Sequence, residues 1–199
     1  MSRIGKMPVA LPDKVKARVE GRKVLVEGPL GKLFFNLPDG INADVKDSNI
    51  IMSIAKGAMD KGALFGTSRA RVNNMVTGVV KEFEKVLEIS GVGFKGAVEG
   101  SKVTMQLGFS HPVIFDIPQG IKMSFDPKQV VLTIKGIDRE AVGNLAAQIK
   151  KVKPPEPYKG TGIKYQGEHI IRKAGKTAAG ASGGGAAGAA PGGAAKGKK

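Results

Sequence analysis

Between Val15 and Ile54 the chain falls into short strand-like runs: Val15 to Val19 alternates apolar and polar, Lys23 to Glu27 is β-rich, Leu33 to Leu37 is a short apolar run, and Ile41 to Val45 and Ile50 to Ile54 follow. A period of two puts one face of each run against a core and the other in water, as in a half-buried β-strand. Glu-Gly, Gly-Pro and Pro-Asp-Gly sequences separate the runs and supply the backbone angles of tight turns, so antiparallel hairpins are expected. The period then changes. Phe65, Val72, Val76, Val79 and Phe83 keep to one side of a 3.6-residue helix, which the spacing predicts from near Met59.

The same order recurs about 80 residues later. VEGRKV at 19–24 returns as VEGSKV at 98–103, LPDGI at 37–41 as IPQGI at 117–121, and IIMSI at 50–54 as VVLTI at 130–134. Strands are expected at Val103/Met105/Leu107, Val113/Phe115, Ile121/Met123/Phe125 and Val130/Leu132/Ile134, then a helix from Asp138 to Lys151. Asp138 suits an N-cap, and Ala141, Leu145 and Ile149 form the apolar stripe behind it. The body is therefore a tandem duplication. The expected fold is α+β, two small domains over 1–82 and 83–173, each an antiparallel sheet packed against one helix. Each copy is small enough to be marginal alone, so the two are expected to pack together. Residues 174–199 form an Ala/Gly/Lys-rich tail with no branched aliphatic or aromatic side chain. Such a tail cannot bury enough apolar surface to offset the entropy of ordering, and is expected to be disordered and dispensable for the core activity.

Composition narrows the chemistry. The 199 residues carry 32 Lys/Arg against 17 Asp/Glu, a formal net charge of +15, with 41% hydrophobic residues. A folded body with so positive a surface favours polyanionic partners, nucleic acid or an anionic membrane surface. There is no cysteine, which removes thiolate catalysis and Cys-ligated metals, and the only histidines are His111 and His169. No run approaches the length of a membrane span and the N-terminus lacks the apolar run of a secretory signal, so a soluble, cytoplasmic protein is the default expectation.

The motif GVGFKG at 91–96 satisfies G-x-G-x-x-G, and Asp116 lies downstream as a dinucleotide fingerprint requires. The context refuses that reading, because Gly96 leads into a turn between strands instead of a helix that would hold a pyrophosphate. A bulge or tight loop is the plainer account. A further one has the glycines admitting a phosphate, with Lys95 beside it and Phe94 free to pack or stack. His111 falls in a turn before Pro112, and no Ser/His/Asp set suggests an enzyme. Arg69 interrupts the first helix's apolar stripe. It is either an internally bonded or snorkelling arginine or a phosphate contact.

The stretch PPEPYKGTGIKY at 154–165 cannot be a helix and makes a poor strand, so it is expected as a rigid loop. Pro154, Pro155 and Pro157 restrain its backbone, leaving Tyr158 and Lys159 little entropy to lose. Gly160 and Gly162 admit another backbone; Lys153, Lys159 and Lys164 supply charge, and Tyr158 and Tyr165 flat faces. That combination suits structured RNA, while a tight connection whose tyrosines cap the second core fits the composition equally. Charge distribution tilts the balance: residues 150–199 hold 11 of the Lys/Arg and 2 of the Asp/Glu, net +9, against +6 for residues 1–149. Six to ten cations on phosphates would cost roughly three to five decades of affinity between about 50 and 200 mM salt.

SRIGKMPV at 2–9, the duplicated unit, GVGFKG and above all PPEPYKGTGIKY resemble the family of bacterial-type large-subunit ribosomal protein six over residues 1–176. The resemblance implies a non-enzymatic constituent of the large ribosomal subunit, seated near the sarcin–ricin and factor-binding region and bound to large-subunit (23S-type) rRNA mainly through its second domain. It implies rRNA contacts at Lys95, Lys153, Tyr158, Lys159, Gly160, Gly162, Lys164, Tyr165, Arg172 and Lys173, with Arg3 and Lys6 as a secondary contact. Thr161 stands where the family commonly has lysine, and Lys164 where it has arginine, which removes a charge and a bidentate fork. The implied partners are rRNA, neighbouring large-subunit proteins and nearby translation factors; no cofactor, metal, membrane or small-molecule substrate is expected. An RNA-binding protein outside the ribosome is the alternative, and an enzyme a more distant one.

Overall fold

The computed structural model describes residues 2–46, 48–55, 61–173 and 175. The expected helix start at Met59 and the tail beyond Gly175 lie outside the described residues. In the first half a short helix, α1 (Arg3–Lys6), and a two-residue strand, β1 (Val9–Ala10), precede β2 (Lys16–Glu20), β3 (Lys23–Gly28), β4 (Gly31–Asn36), β5 (Ile41–Lys46), β6 (Asn49–Ile54) and helix α2 (Gly62–Gly78). The second half runs β7 (Phe83–Ser90), β8 (Lys95–Glu99), β9 (Lys102–Gln106), β10 (Val113–Asp116), β11 (Ile121–Phe125), β12 (Val131–Gly136), helix α3 (Arg139–Val152) and β13 (Gly162–Tyr165).

Each half is α+β with one main helix, and each builds two antiparallel sheets. The first has β2-β3-β4 and β1-β6-β5; the second has β8-β9-β10 and β11-β12-β7-β13. The buried faces follow from the period-two pattern. Val24, Val26, Ile41 and Ile50 meet Val72 and Val79 in one core, and Leu87, Val103, Met105, Leu132 and Ile134 meet Leu145 and Ile149 in the other. Asp138 caps α3 as expected, its carboxylate accepting from Glu140 N at 2.8 Å.

The duplication extends to backbone detail. Gly21 and Gly100 both adopt φ +60°, and Gly40 and Gly120 adopt +84° and +83°, left-handed angles that glycine takes without a Cβ penalty. Leu37 N donates to Arg22 O at 2.7 Å, and Ile117 N to Ser101 O at 2.8 Å. Strand order corresponds too, with β1-β6-β5 matching β7-β12-β11 and leaving β13 without a counterpart among the described residues.

Two expectations are corrected. Phe83 does not continue the first helix; α2 ends at Gly78, where a Cβ would lie 2.0 Å from Ile137 O, and Phe83 opens β7 opposite Gly136. The 154–165 stretch is a loop only in its first part, because Gly162–Tyr165 forms β13 and pairs with β7 from Gly162↔Ser90 to Tyr165↔Leu87. The halves pack together as expected. Arg71 pairs with Glu140 at 2.7 Å, and Arg139 Nη1 donates to Asn74 Oδ1 at 3.2 Å.

Candidate nucleic-acid interface

The loop that follows α3 is tied at both ends. Lys153 is the C-cap of α3, and its carbonyl accepts from Ile163 N at 2.8 Å, so helix end and β13 are joined across the loop. Ile163 is fully buried in the second core. Between these anchors Glu156 N donates to Thr161 O and Gly160 N to Glu156 O, both at 2.9 Å, closing residues 156–161 into a compact turn. Tyr158 and Lys159 stand exposed at its tip. Gly162 shows why glycine is needed at the base: its φ is +143°, and a Cβ would sit 2.6 Å from Pro154 O and 2.8 Å from Pro155 Cα. The proline run lies directly against the strand.

The C-terminal segment returns to this turn. Lys173 N donates to Pro157 O at 2.9 Å, and the Arg172 guanidinium lies over Gly160, whose added Cβ would be 3.0 Å from Nη2. Tyr158, Lys159, Gly160, Arg172 and Lys173 therefore form one cluster. Lys159, Arg172 and Lys173 have no acidic partner among the described residues, nor do Lys95, Arg3 and Lys6. Lys95 begins β8 on the rim of an open hollow of about 170 Å³ shared with Glu99, Thr104, Gln106 and Gln129. Arg3 and Lys6 are exposed on α1, which packs in the first half against α2 and β6.

Other implied contacts are engaged within the protein. Lys164 pairs with Glu88 on the neighbouring strand at 2.9 Å, and the Tyr165 ring packs on the second core with the Lys150 ammonium 4.7 Å from its centroid. Lys153 Nζ donates to Leu107 O and lies 4.5 Å from the Phe94 centroid and 4.9 Å from that of Phe109. Glu168 fastens the turn after β13, accepting from Lys150 Nζ at 2.6 Å and Tyr165 N at 2.9 Å. The Lys150 bond first, and the Tyr165 amide second, hold its carboxyl below the usual range.

GVGFKG is a tight connection between β7 and β8, with Gly96 inside β8 and a hairpin next, so no helix N-terminus faces a phosphate there. Phe94 packs inward, its ring 2.5 Å from where a Gly91 Cβ would stand. Arg69 is internally bonded: its Nε donates to Met7 O and its Nη2 to Pro8 O, each at 3.2 Å, fixing the chain before β1. Sequence reading missed the partnership of Phe109 with Lys153. Its only local sign was GFSHP at 108–112, aromatic and basic where the first copy turns more plainly. Among the described residues no helix is long and apolar enough to cross a membrane.

The turn whose Lys159, Arg172 and Lys173 lack acidic partners among the described residues thus sits on a duplicated α+β body. The family model "Ribosomal protein L6" matches residues 11–82 and 90–166. Large ribosomal subunit protein uL6 of Methylacidiphilum infernorum (isolate V4) is 48% identical over 178 residues, covering 89% of this chain and 99% of the relative. The proteins of that name from Anaeromyxobacter sp. (strain Fw109-5) and Rhodopseudomonas palustris (strain HaA2) are 47% and 46% identical, over 90% and 88% of this chain and 99% of each relative. The chain belongs to the ribosomal protein L6 family, a non-enzymatic one.

Proposed function

We propose that this chain is a structural constituent of the large ribosomal subunit that binds large-subunit rRNA near the sarcin–ricin and factor-binding region, mainly through its second half. The observation that carries this reading is the 156–161 turn: Tyr158 and Lys159 are presented by a backbone locked to β13, with Arg172 and Lys173 drawn alongside. Preorganised cations bind phosphates without losing much side-chain or loop entropy, and an exposed tyrosine offers a face to an unstacked base or a hydroxyl to a 2′-OH. The extra strand β13, without a counterpart among the described residues of the first half, is what carries the turn, so the departure from repeat symmetry coincides with the proposed contact. Arg3 and Lys6 supply a secondary contact from the first half. Lys95, Lys153, Gly160, Gly162, Lys164 and Tyr165 complete or support the surface. The partners are rRNA, adjacent large-subunit proteins and the translation factors that visit this region, and the location is the cytoplasmic ribosome.

Cosedimentation tests this against a free RNA-binding protein. The purified chain is expected to enter large subunits depleted of their own copy, near one per particle, and to stay bound through a 150 mM salt wash. Recovery in the supernatant, or bound in large and variable excess, would contradict it.

A further inference from the structure

Resting on that reading, we infer that Lys153 is a positioning residue which joins three loops into one RNA-facing surface, and that Phe109 and Val92 belong to that surface. Lys153 engages all three loops. Its carbonyl accepts from Ile163 N and so holds the base of the Pro/Tyr/Lys loop. Its ammonium donates to Leu107 O at the start of the 107–111 loop and lies between the rings of Phe109 and Phe94. Phe94 closes the 91–94 turn by folding back on Gly91. Gly108 makes the meeting possible: its φ is +74°, and a Cβ there would lie 3.0 Å from the Phe94 ring and 3.5 Å from Lys153 Nζ.

An ammonium with a carbonyl acceptor and two π faces is largely compensated before any phosphate arrives. Lys153 is also the C-cap of α3, the end of a helix at which a cationic side chain is favoured. Withdrawing it to meet a phosphate would release Phe94, which is buried, and the carbonyl of Leu107. What the brace leaves outward is a fully exposed Val92, a nearly half-exposed Phe109 and, on the third loop, Tyr158 and Lys159. Apolar and aromatic tips beside free cations fit a non-helical RNA segment, whose splayed bases offer faces to cover, better than a regular duplex, which offers mainly phosphates and 2′-hydroxyls.

The two roles of a lysine separate in a salt titration, since a phosphate ligand contributes about 0.7–0.9 to the slope of log Kobs against log[salt] and a positioning residue contributes nothing. The full chain is titrated with a large-subunit rRNA transcript carrying the sarcin–ricin stem-loop and its neighbouring helices, and with an unrelated folded RNA of equal length. Lys159→Gln is expected to lower the slope by about 0.7–0.9. Lys153→Met is expected to weaken binding to the rRNA transcript about tenfold at wild-type slope, to leave binding to the unrelated RNA unchanged, and to speed amide exchange at 92–94 and 107–111 in the free protein. Lys153→Arg, which keeps a cation over the rings, restores most of the affinity. Phe109→Leu, an apolar exchange at a nearly half-exposed position, shows the same pattern more weakly and serves if Lys153→Met does not fold. A slope lowered in Lys153→Met as in Lys159→Gln, with loop exchange unchanged, overturns the inference, as does full affinity in both Lys153→Met and Phe109→Leu. A wild-type chain that prefers neither RNA overturns the rRNA reading itself, and that result is seen before any variant is made.

Discussion

Replacing Gly162 by alanine tests whether the turn's rigidity is built against β13. The new methyl carbon would lie 2.6 Å from Pro154 O and 2.8 Å from Pro154 C and Pro155 Cα, all backbone atoms that no rotamer change can move aside. The φ of +143° adds a second penalty, because an L-residue there is held in a region that costs about 1–3 kcal/mol. Overpacking of this kind adds about 1–3 kcal/mol, so the total is about 2–6 kcal/mol. For halves that melt as one unit, each kcal/mol lowers Tm by about 2–4 °C, which puts the expected fall at about 12 °C. The protein has another route: the proline run can lift off the strand, leaving Tm nearly unchanged but displacing Tyr158 and Lys159 from their place beside Arg172. Differential scanning calorimetry and rRNA titration on the same sample distinguish these outcomes, and either supports the account. Wild-type Tm together with wild-type affinity would refute the claim that the turn depends on close packing over Gly162.

Gly143, inside α3 with nothing within 4 Å of an added Cβ, is the complementary case: Gly143→Ala is expected to stabilise by about 0.5–1 kcal/mol, read as a higher urea midpoint at unchanged m. Lys159→Glu is expected to weaken rRNA binding at least tenfold and Lys46→Glu, in the first half, by less than twofold, with equal losses counting against the turn as the contact. Glu168 sets a pH dependence. Its folded pKa is depressed, so its contribution to stability is present above the ordinary value of 4.5 and is lost as pH falls through the lower folded value. Glu168→Gln is therefore expected to lower Tm at pH 7, with the gap to wild type closing as pH falls below the ordinary 4.5 in a Tm series. Deleting residues 177–199 is expected to leave specific rRNA affinity within about twofold, its loss being mainly in non-specific, salt-sensitive binding.

The strands of the repeat were legible because each buries one face, so period two survives in the sequence at Val24/Val26 as at Val103/Met105. Asp138 was legible for a local reason as well, since a cap bonds within its own first turn. What was hidden depends on distant partners. Phe83 continues a helical spacing from Val79, but its partner is Gly136 on β12, more than fifty residues away, and Gly78 lies so close to Ile137 O that it has no room for a side chain. With β7 unrecognised, Gly162–Tyr165 had no strand to pair with, and three prolines just upstream pointed to a loop. Lysine is an exposed cation by default, and nothing near position 153 announces that Leu107 O, 46 residues away, accepts a hydrogen bond from it and that two phenylalanines flank it. The candidate site was thus readable as a composition, while the division of its lysines between holding the loops and facing the partner was not.

Binding of the intact chain to the rRNA transcript and to the unrelated RNA, across salt from about 50 to 200 mM, tests the central claim most directly. Six phosphate contacts, from Lys95, Lys159, Arg172 and Lys173 with Arg3 and Lys6 as the secondary contact, predict a slope of about −4 to −5 and a fall of roughly three decades over that range. The account predicts that slope for the rRNA transcript, with a preference of at least a hundredfold over the unrelated RNA still present at 150 mM. Equal affinities for the two RNAs at every salt concentration would contradict it, showing attraction by the net charge of +15 alone.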